Sequence, residues 1–180
     1  MPHTVEIAPS ARAKCRGCDQ KLAKGELRFG ERLPNAFGEG EMTLWFHLQC
    51  AAYKRPEPFL EMLLGDDRAS EGVASDLRSA AELGITHRRL PRLSGAERAP
   101  TGRAKCRSCH ELIDKDTWRI ALVFFEEYRF QPSGFVHAAC AREYFGTIEL
   151  IDRVRHFSPD LSAAELDDFK RALETENGNA

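Results

Sequence analysis

All six cysteines of the 180-residue chain fall into two matching groups with the spacing of metal ligands. The first group reads Cys15-x2-Cys18-x28-His47-x2-Cys50, and the second reads Cys106-x2-Cys109-x27-His137-x2-Cys140. Three thiolates and one imidazole in two closely spaced pairs suit a closed tetrahedral zinc site. The sequence therefore predicts two Zn2+ ions per chain, held by Cys15, Cys18, His47 and Cys50 and by Cys106, Cys109, His137 and Cys140.

Other cysteine chemistries fit this pattern less well. Three cysteines per group cannot all close into intramolecular disulfides, and the N-terminus shows no signal-peptide pattern. The string from Cys106 to His110 matches a haem-attachment motif, but Asp19 stands at the corresponding position of the first group, so we expect His110 at the surface. A thioredoxin-like dithiol would need a βαβ setting, which is lacking. Four protein ligands leave no open coordination position, which argues against a hydrolytic zinc.

The cysteine groups belong to a tandem repeat. Residues 8–18 match residues 99–109 at eight of eleven positions, with an offset of 91, and at the same offset Leu22 meets Ile113 and Phe29 meets Ile120. The stretch between the repeats contains two prolines and a glycine and is typical of a linker. We therefore expect one zinc-binding module over residues 1–89, a linker over 90–100, a second module over 101–175 and a disordered tail over 176–180.

Each repeat predicts a small zinc-stabilised α+β fold, with a short antiparallel sheet and helices. The expected strand pairs are residues 26–31 with 44–47 and residues 117–125 with 134–137. The His-x-x-Cys stretch is compatible with the first turn of a helix. A later helix is expected to begin at a capping box, Ser79-x-x-Glu82 in the first repeat and Ser162-x-x-Glu165 in the second. Trp45 and Phe135, next to the ligand histidines, are assigned to the core.

Charge is distributed unevenly along a globular composition. Hydrophobic residues make up 42% and charged residues 30%, and no apolar run approaches the ~18 residues of a membrane-spanning helix. The net charge of −2 argues against a nucleic-acid binder, but residues 10–55 carry nine Lys and Arg against five Asp and Glu, and residues 86–107 carry seven against one. Arginine, which suits bidentate phosphate contact, outnumbers lysine 19 to 7. An arginine-rich composition explains the ratio but not its placement around the Cys pairs.

Taken together, these motifs resemble the PARP-type zinc finger. The resemblance is carried by the Cys-x2-Cys pair, the spacer of nearly 30 residues, the His-x2-Cys pair, the Arg-Ala-Lys lead-in and the Lys-x-x-Leu/Trp-Arg after the first pair. It covers residues 8–88 and 99–173. That module occurs at the N-terminus of poly(ADP-ribose) polymerase and in some DNA ligases and repair phosphatases. The resemblance implies a zinc-held fold that recognises DNA strand breaks by structure rather than by base sequence.

The resemblance also implies which side chains would contact DNA. In that family, one arginine three residues before the first cysteine and another in the strand after the second cysteine grip phosphates. Further cations flank the zinc turn, and apolar side chains from the loop before the zinc histidine stack on an exposed base pair. The matching phosphate-gripping residues are Arg12, Arg28, Arg103 and Arg119; the flanking cations are Lys14, Arg16, Lys105 and Arg107; the stacking candidates are Phe37, Met42, Tyr128 and Phe130. The loop that carries the stacking candidates departs most from the family. For each aromatic in it, the alternative is simple packing over the strands.

The sequence thus predicts a protein without catalytic residues that binds DNA at nicks, gaps or ends, in DNA repair or damage sensing. Its expected partners are interrupted DNA and repair enzymes, with no membrane and no small-molecule substrate. We expect it in the cytoplasm at the nucleoid if the source is bacterial, and in the nucleus if it is eukaryotic. The competing hypothesis is a zinc-stabilised protein-protein interaction adaptor that docks through the acidic residues of segments 57–82 and 160–176.

Overall fold

The computed structural model describes residues 3–35, 38–65 and 73–175. The chain divides into two compact units, Met1–Thr86 and His87–Ala180. Each unit contains a three-stranded antiparallel sheet, with helices after the last strand, as the sequence predicts for an α+β fold. In the part of the chain that the structure describes, no helix combines the length and apolarity that crossing a membrane requires.

In the first unit, Arg28 of the central strand lies between a glutamate and a zinc-site histidine on the neighbouring strands. The elements are β1 (Thr4–Ile7), β2 (Leu27–Pro34), β3 (Glu41–His47), α1 (Leu48–Lys54), α2 (Pro56–Gly65) and α3 (Ser75–Thr86). Arg28 pairs with Glu6 of β1 on one side and with His47 of β3 on the other. The next residue, Phe29, points to the opposite face and is fully buried, packed edge-on against Phe59. The alternation of the strand therefore separates the core face from the face that carries the arginine.

The second unit repeats this register. Its elements are a 3-10 turn (Leu90–Arg92), β4 (Leu93–Arg98), β5 (Trp118–Glu126), β6 (Arg129–His137), a 3-10 turn (Ala138–Cys140), α4 (Ala141–Phe145), α5 (Ile151–Phe157) and α6 (Ala163–Glu174). Arg119 pairs with Glu97 on β4 and with His137 on β6. Ile120, which the repeat aligns with Phe29, is fully buried. The repeat in sequence is thus also a repeat in strand pairing.

The predicted strand pairs are confirmed, and both are longer than expected, but the predicted linker is wrong. Leu93–Arg98 forms β4 and pairs with β5, and Leu90 and Leu93 are almost fully buried. The two prolines that suggested a linker stand outside this strand, Pro91 in the 3-10 turn and Pro100 after the strand has ended. They therefore leave its hydrogen-bond ladder intact. The predicted tail, 176–180, lies outside the described residues.

One of the two predicted capping boxes is present. Ser162 accepts a hydrogen bond from the backbone N–H of Glu165, and the Glu165 carboxylate accepts one from the backbone N–H of Ser162. The prediction at Ser79 is wrong, because α3 begins one turn earlier, at Ser75. Inside the helix the Ser79 hydroxyl donates to the carbonyl oxygen of Ser75 instead. The same motif thus caps a helix only where no earlier residues have already started it.

Candidate metal centres and nucleic-acid interface

Both predicted ligand sets converge in the folded chain. In each set the one ligand atom per residue lies within 4.8 Å of the other three. His47 Nδ1 is 3.4 Å from Cys18 Sγ and 3.8 Å from Cys50 Sγ, and the corresponding distances to His137 Nδ1 are 3.4 and 3.7 Å. A tetrahedral ion with Zn–S near ~2.3 Å and Zn–N near ~2.0 Å requires S···N distances of about 3.5 Å. The residues therefore fit two structural Zn2+ ions, one in each unit.

Backbone geometry holds the sulfur atoms in place. The residue after each Cys-x2-Cys pair, Asp19 or His110, adopts a left-handed conformation, with φ of 60° and 66°. That turn lets its N–H donate to the carbonyl oxygen of the first cysteine of the pair. Cys15 Sγ accepts hydrogen bonds of 3.3 Å from the backbone N–H groups of Gly17 and His47. The first sulfur of the second unit, on Cys106, accepts an equivalent pair. Such bonds favour the thiolate form, which binds zinc.

Crowding of the donors shifts their affinity for protons. Hydrogen bonds from Cys15 and Cys50 hold the pKa of Cys18 well below its ordinary value. Hydrogen bonds with Cys15 and Cys18 raise the pKa of His47 to about 10. Burial opposes the thiolate of Cys106, but backbone N–H groups outweigh it and lower the pKa of that thiol to about 7. Hydrogen bonds with Cys15 and Cys18, together with burial, hold the pKa of Cys50 well above its ordinary value. Without metal the donors of the first set therefore share protons, which a divalent cation would displace.

Two of the predicted phosphate-gripping arginines, Arg28 and Arg119, are largely buried, with side chains 8% exposed. Each guanidinium carbon lies 3.6 Å from the centroid of an aromatic ring, that of Trp45 for Arg28 and that of Phe135 for Arg119. At this distance a cation is attracted to the ring face. The assignment of Trp45 and Phe135 to the core is wrong, because both rings are only half-buried and carry a guanidinium.

The same arginines are ion-paired across the sheet. Nε and Nη2 of Arg28 donate to Oε1 of Glu6 at 3.2 and 2.5 Å, and those of Arg119 donate to Oε1 of Glu97 at 3.0 and 2.6 Å. Both carboxylates are half-exposed. One edge of each guanidinium is therefore occupied, and Nη1 makes no hydrogen bond to any of the described residues.

A third residue joins each arginine and ring. The backbone N–H of Arg16 donates to the carbonyl oxygen of Trp45 at 2.9 Å, and the backbone N–H of Arg107 donates to the carbonyl oxygen of Phe135 at 2.8 Å. Arg107 Nε also donates to the carbonyl oxygen of Ser133 at 3.1 Å. Gly134 makes room for this side chain, because a Cβ there would lie 2.8 Å from Arg107 Nε.

The other predicted cations are exposed. Arg12, Lys14, Arg103 and Lys105 lie on the segments that lead into the first cysteine of each unit. Within residues 3–35, 38–65 and 73–175 none of them makes an ion pair. They are therefore more exposed to a ligand than Arg28 and Arg119, in which only Nη1 makes no hydrogen bond to the described residues.

The predicted stacking residues lie in different settings. Met42 is half-buried in β3, opposite Leu33, and Phe37 lies outside the described residues. Tyr128 occupies the turn between β5 and β6, in a left-handed conformation with φ of 63°. Phe130 packs across the hairpin on Phe125, with ring centroids 4.9 Å apart. Of these, Tyr128 is presented at a hairpin tip, whereas the contact of Phe130 agrees with the packing alternative.

Sequence reasoning missed the carboxylates that pair with the buried arginines. Glu6 and Glu97 lie on β1 and β4, the outer strands that the sequence analysis did not predict. A signal was nevertheless present, because these residues are separated by the same 91 positions as the first cysteines of the two repeats. Extending the repeat alignment toward the N-terminus of each unit shows that a glutamate recurs there, although not that it pairs with the arginine.

Comparison with known proteins agrees with this geometry. The family described as "Poly(ADP-ribose) polymerase and DNA-Ligase Zn-finger region" matches residues 6–78. Similar proteins include a poly [ADP-ribose] polymerase of Sarcophaga peregrina, 29% identical over 96% of this chain and 20% of the relative. Poly [ADP-ribose] polymerase 1 of Danio rerio is 27% identical over 93% of this chain and 17% of the relative. Polynucleotide 3'-phosphatase ZDP of Arabidopsis thaliana is 23% identical over 88% of this chain and 26% of the relative.

The chain spans about a fifth of the length of the polymerase relatives, and these alignments cover both units. The second unit carries the same ligand set and the same strand register as the first. Residues 6–78 are thus similar to the PARP-type zinc-finger family, and the chain is a tandem of two units that share one Cys3His ligand set and one strand register.

Proposed function

We propose that the two modules bind DNA at strand interruptions, nicks, gaps or ends, in damage sensing or in recruiting repair enzymes, and that this chain supplies no catalytic step. The observation that carries the proposal is the recurrence of one arrangement in both units. Each unit has exposed cations on the segment leading into the zinc turn, and its sheet carries a guanidinium stacked on an aromatic ring. The family description names a DNA ligase, and one relative is named for a phosphatase acting on polynucleotides.

Exposed cations account for affinity toward the DNA backbone. The side chains of four such cations are exposed, Arg12 and Lys14 in the first unit and Arg103 and Lys105 in the second. Each phosphate that such a residue neutralises makes the logarithm of the binding constant fall by about 0.9 per unit of log salt. This contribution is the same for intact and broken duplexes, so it does not supply selectivity.

Selectivity requires a group that reads a broken duplex. An intact helix hides the faces of its base pairs, whereas a nick, gap or end exposes one. A flat side chain that covers such a face contributes about 1–3 kcal/mol. Tyr128 at the tip of the β5–β6 hairpin is the flat candidate, and Met42 on β3 could make apolar contact with an exposed base pair. Two modules on one chain also raise the effective concentration of each for the same DNA molecule.

The zinc centres support the fold rather than a reaction. Four protein ligands fill a tetrahedral site and leave no position for water or substrate. The ligand residues would hold the Cys-x2-Cys turn against the start of the helical segment that follows β3 or β6. The exposed cations lie next to that turn, so their positions depend on it. We therefore assign both ions a structural role.

Fluorescence anisotropy with gapped, nicked, blunt-ended and circular intact duplexes tests the proposal. We expect tighter binding to interrupted DNA, steep weakening with salt, and loss of affinity in Arg12→Ala and Arg103→Ala. Arg155→Ala, an exposed arginine on α5 that pairs with Asp152, is the control of equal charge change. Equal affinity for all four duplexes would contradict break recognition, and no binding to any of them would favour the protein adaptor.

A further inference from the structure

The outward-facing ring nitrogens of the two zinc-site histidines meet chemically different partners. His47 Nε2 lies 3.3 Å from Oε1 of Glu26. His137 Nε2 lies 3.1 Å from the backbone carbonyl oxygen of Leu112. The first centre therefore has a charged acceptor behind its histidine, whereas the second has a neutral one.

The repeat explains why the second unit lacks the carboxylate. At the offset of 91, Glu26 corresponds to Thr117, which cannot carry a negative charge. The Thr117 hydroxyl is used locally, because it donates to the carbonyl oxygen of Asp114 at 2.7 Å. The two ligand sets are identical in type, so the difference in charge between the centres comes from one position, Glu26 in the first unit and Thr117 in the second.

The carboxylate oxygen of Glu26 depends on the histidine for a partner. Glu26 Oε1 is buried and accepts no hydrogen bond of normal geometry from the described residues. His47 directs Nδ1 toward the sulfur atoms of Cys18 and Cys50. A metal ion at this site would take the lone pair of Nδ1 and leave the ring proton on Nε2, 3.3 Å from that oxygen. The tautomer that binds metal is therefore the one that places a ring proton on the nitrogen nearest Glu26 Oε1.

We propose that Glu26 is a positioning residue for the first zinc centre and makes that centre the tighter of the two. A carboxylate behind a ligand histidine fixes the orientation of the ring and raises the basicity of its coordinating nitrogen. A backbone carbonyl fixes the orientation but adds no charge. Removing an outer partner of this kind typically lowers metal affinity by about 10- to 100-fold. The inference concerns the metal alone and stands whether or not the chain binds DNA.

Zinc release from the full-length, zinc-loaded chain tests this assignment. Mixing with excess chromophoric chelator should release two ions in two phases, the slower one from the first centre. In Glu26→Gln the slower phase should accelerate by about 10- to 100-fold, while the other phase keeps its rate. Glu61→Gln is the matched control, because Glu61 also contacts an imidazole, that of the non-ligand His3, at 3.5 Å. Unchanged release in Glu26→Gln, or equal acceleration in Glu61→Gln, would overturn the proposal.

A second measurement needs no variant. Long-range proton–nitrogen spectra of the zinc-loaded wild-type chain report the tautomer and hydrogen bonding of each imidazole. We expect both ligand histidines to carry the proton on Nε2, with the His47 proton shifted further downfield than that of His137 because its acceptor is a carboxylate. Equal shifts, or a His47 proton exchanging as fast as one exposed to water, would show that Glu26 does not accept from it.

Discussion

The ion pair between Glu97 and Arg119 is expected to weaken DNA binding, so that Glu97→Gln binds interrupted DNA more tightly than the wild type. Glu97 occupies the Nε–Nη2 edge of the guanidinium and leaves Nη1 for a phosphate. A phosphate there would carry like charge about 5 Å from the carboxylate, because the two acceptors would occupy adjacent edges of one planar guanidinium. In water-like surroundings two unit charges at about 5 Å repel by about 1 kcal/mol. The water-like value is the appropriate one because the Glu97 side chain is 51% exposed.

Removal of that repulsion corresponds to about a fivefold gain in affinity. Glutamine keeps an oxygen that accepts from the guanidinium, and stacking on Phe135 at 3.6 Å keeps Arg119 in position. The guanidinium is then no longer neutralised within the protein. We therefore also expect the salt dependence to steepen by up to about 0.9 log units per log unit of salt.

Anisotropy titrations of a gapped duplex at three salt concentrations measure both quantities. Glu149→Gln, an exposed residue outside the sheet, controls for the change in net charge. The gain must disappear when Arg119→Ala is combined with Glu97→Gln, since the effect acts through that guanidinium. Unchanged or weaker binding by a folded Glu97→Gln protein would refute the reasoning and show that Arg119 serves the sheet rather than DNA.

Three further perturbations test the fold. Removing zinc with a strong chelator should abolish the cooperative thermal transition, since a four-ligand site contributes about 10–16 kcal/mol of apparent binding energy; a chelated chain with unchanged circular dichroism would contradict two structural centres. Gly30→Ala should destabilise the first unit by about 1–3 kcal/mol in urea titration, because the new Cβ would lie 2.8 Å from Trp45 and 2.9 Å from both Thr4 and Thr43. Gly65→Ala is the control and should not destabilise the unit, because the space around Gly65 is open. Ser162→Ala should cost about 1 kcal/mol and lower the melting temperature of its unit by about 4–8 °C, while Ser79→Ala, inside a helix, should leave stability within about 0.5 kcal/mol of the wild type; equal effects would contradict the assigned caps.

The zinc ligands could be predicted from the sequence because coordination chemistry restricts both residue type and spacing. Cys15 and Cys18 must share one turn and His47 and Cys50 another, whatever the rest of the chain does. The paired strands were predictable for a related reason, since an arginine stands between two large apolar residues at the start of both β2 and β5. Both signals are local and survive without knowledge of the tertiary fold.

The outer strands and the setting of the arginines depend on contacts that a linear pattern does not show. β1 has only four residues and no fully buried side chain, so it lacks the periodic signal of a strand. β4 is flanked by prolines that suggest a linker. Only the register of these strands reveals that Glu6 faces Arg28 and that a supposed surface cation is buried and neutralised. The amino-acid composition does not indicate which arginine pairs with which glutamate.

The place of β4 in the second sheet decides how that module can be cut from the chain. A fragment starting at Thr101 would lack Leu93–Arg98 and leave the edge of β5 without its partner. Bare edges of this kind template aggregation, and the Arg119 guanidinium would lose its counterion at the same time. A usable excision point therefore lies upstream of the 3-10 turn, close to His87, where the second compact unit begins.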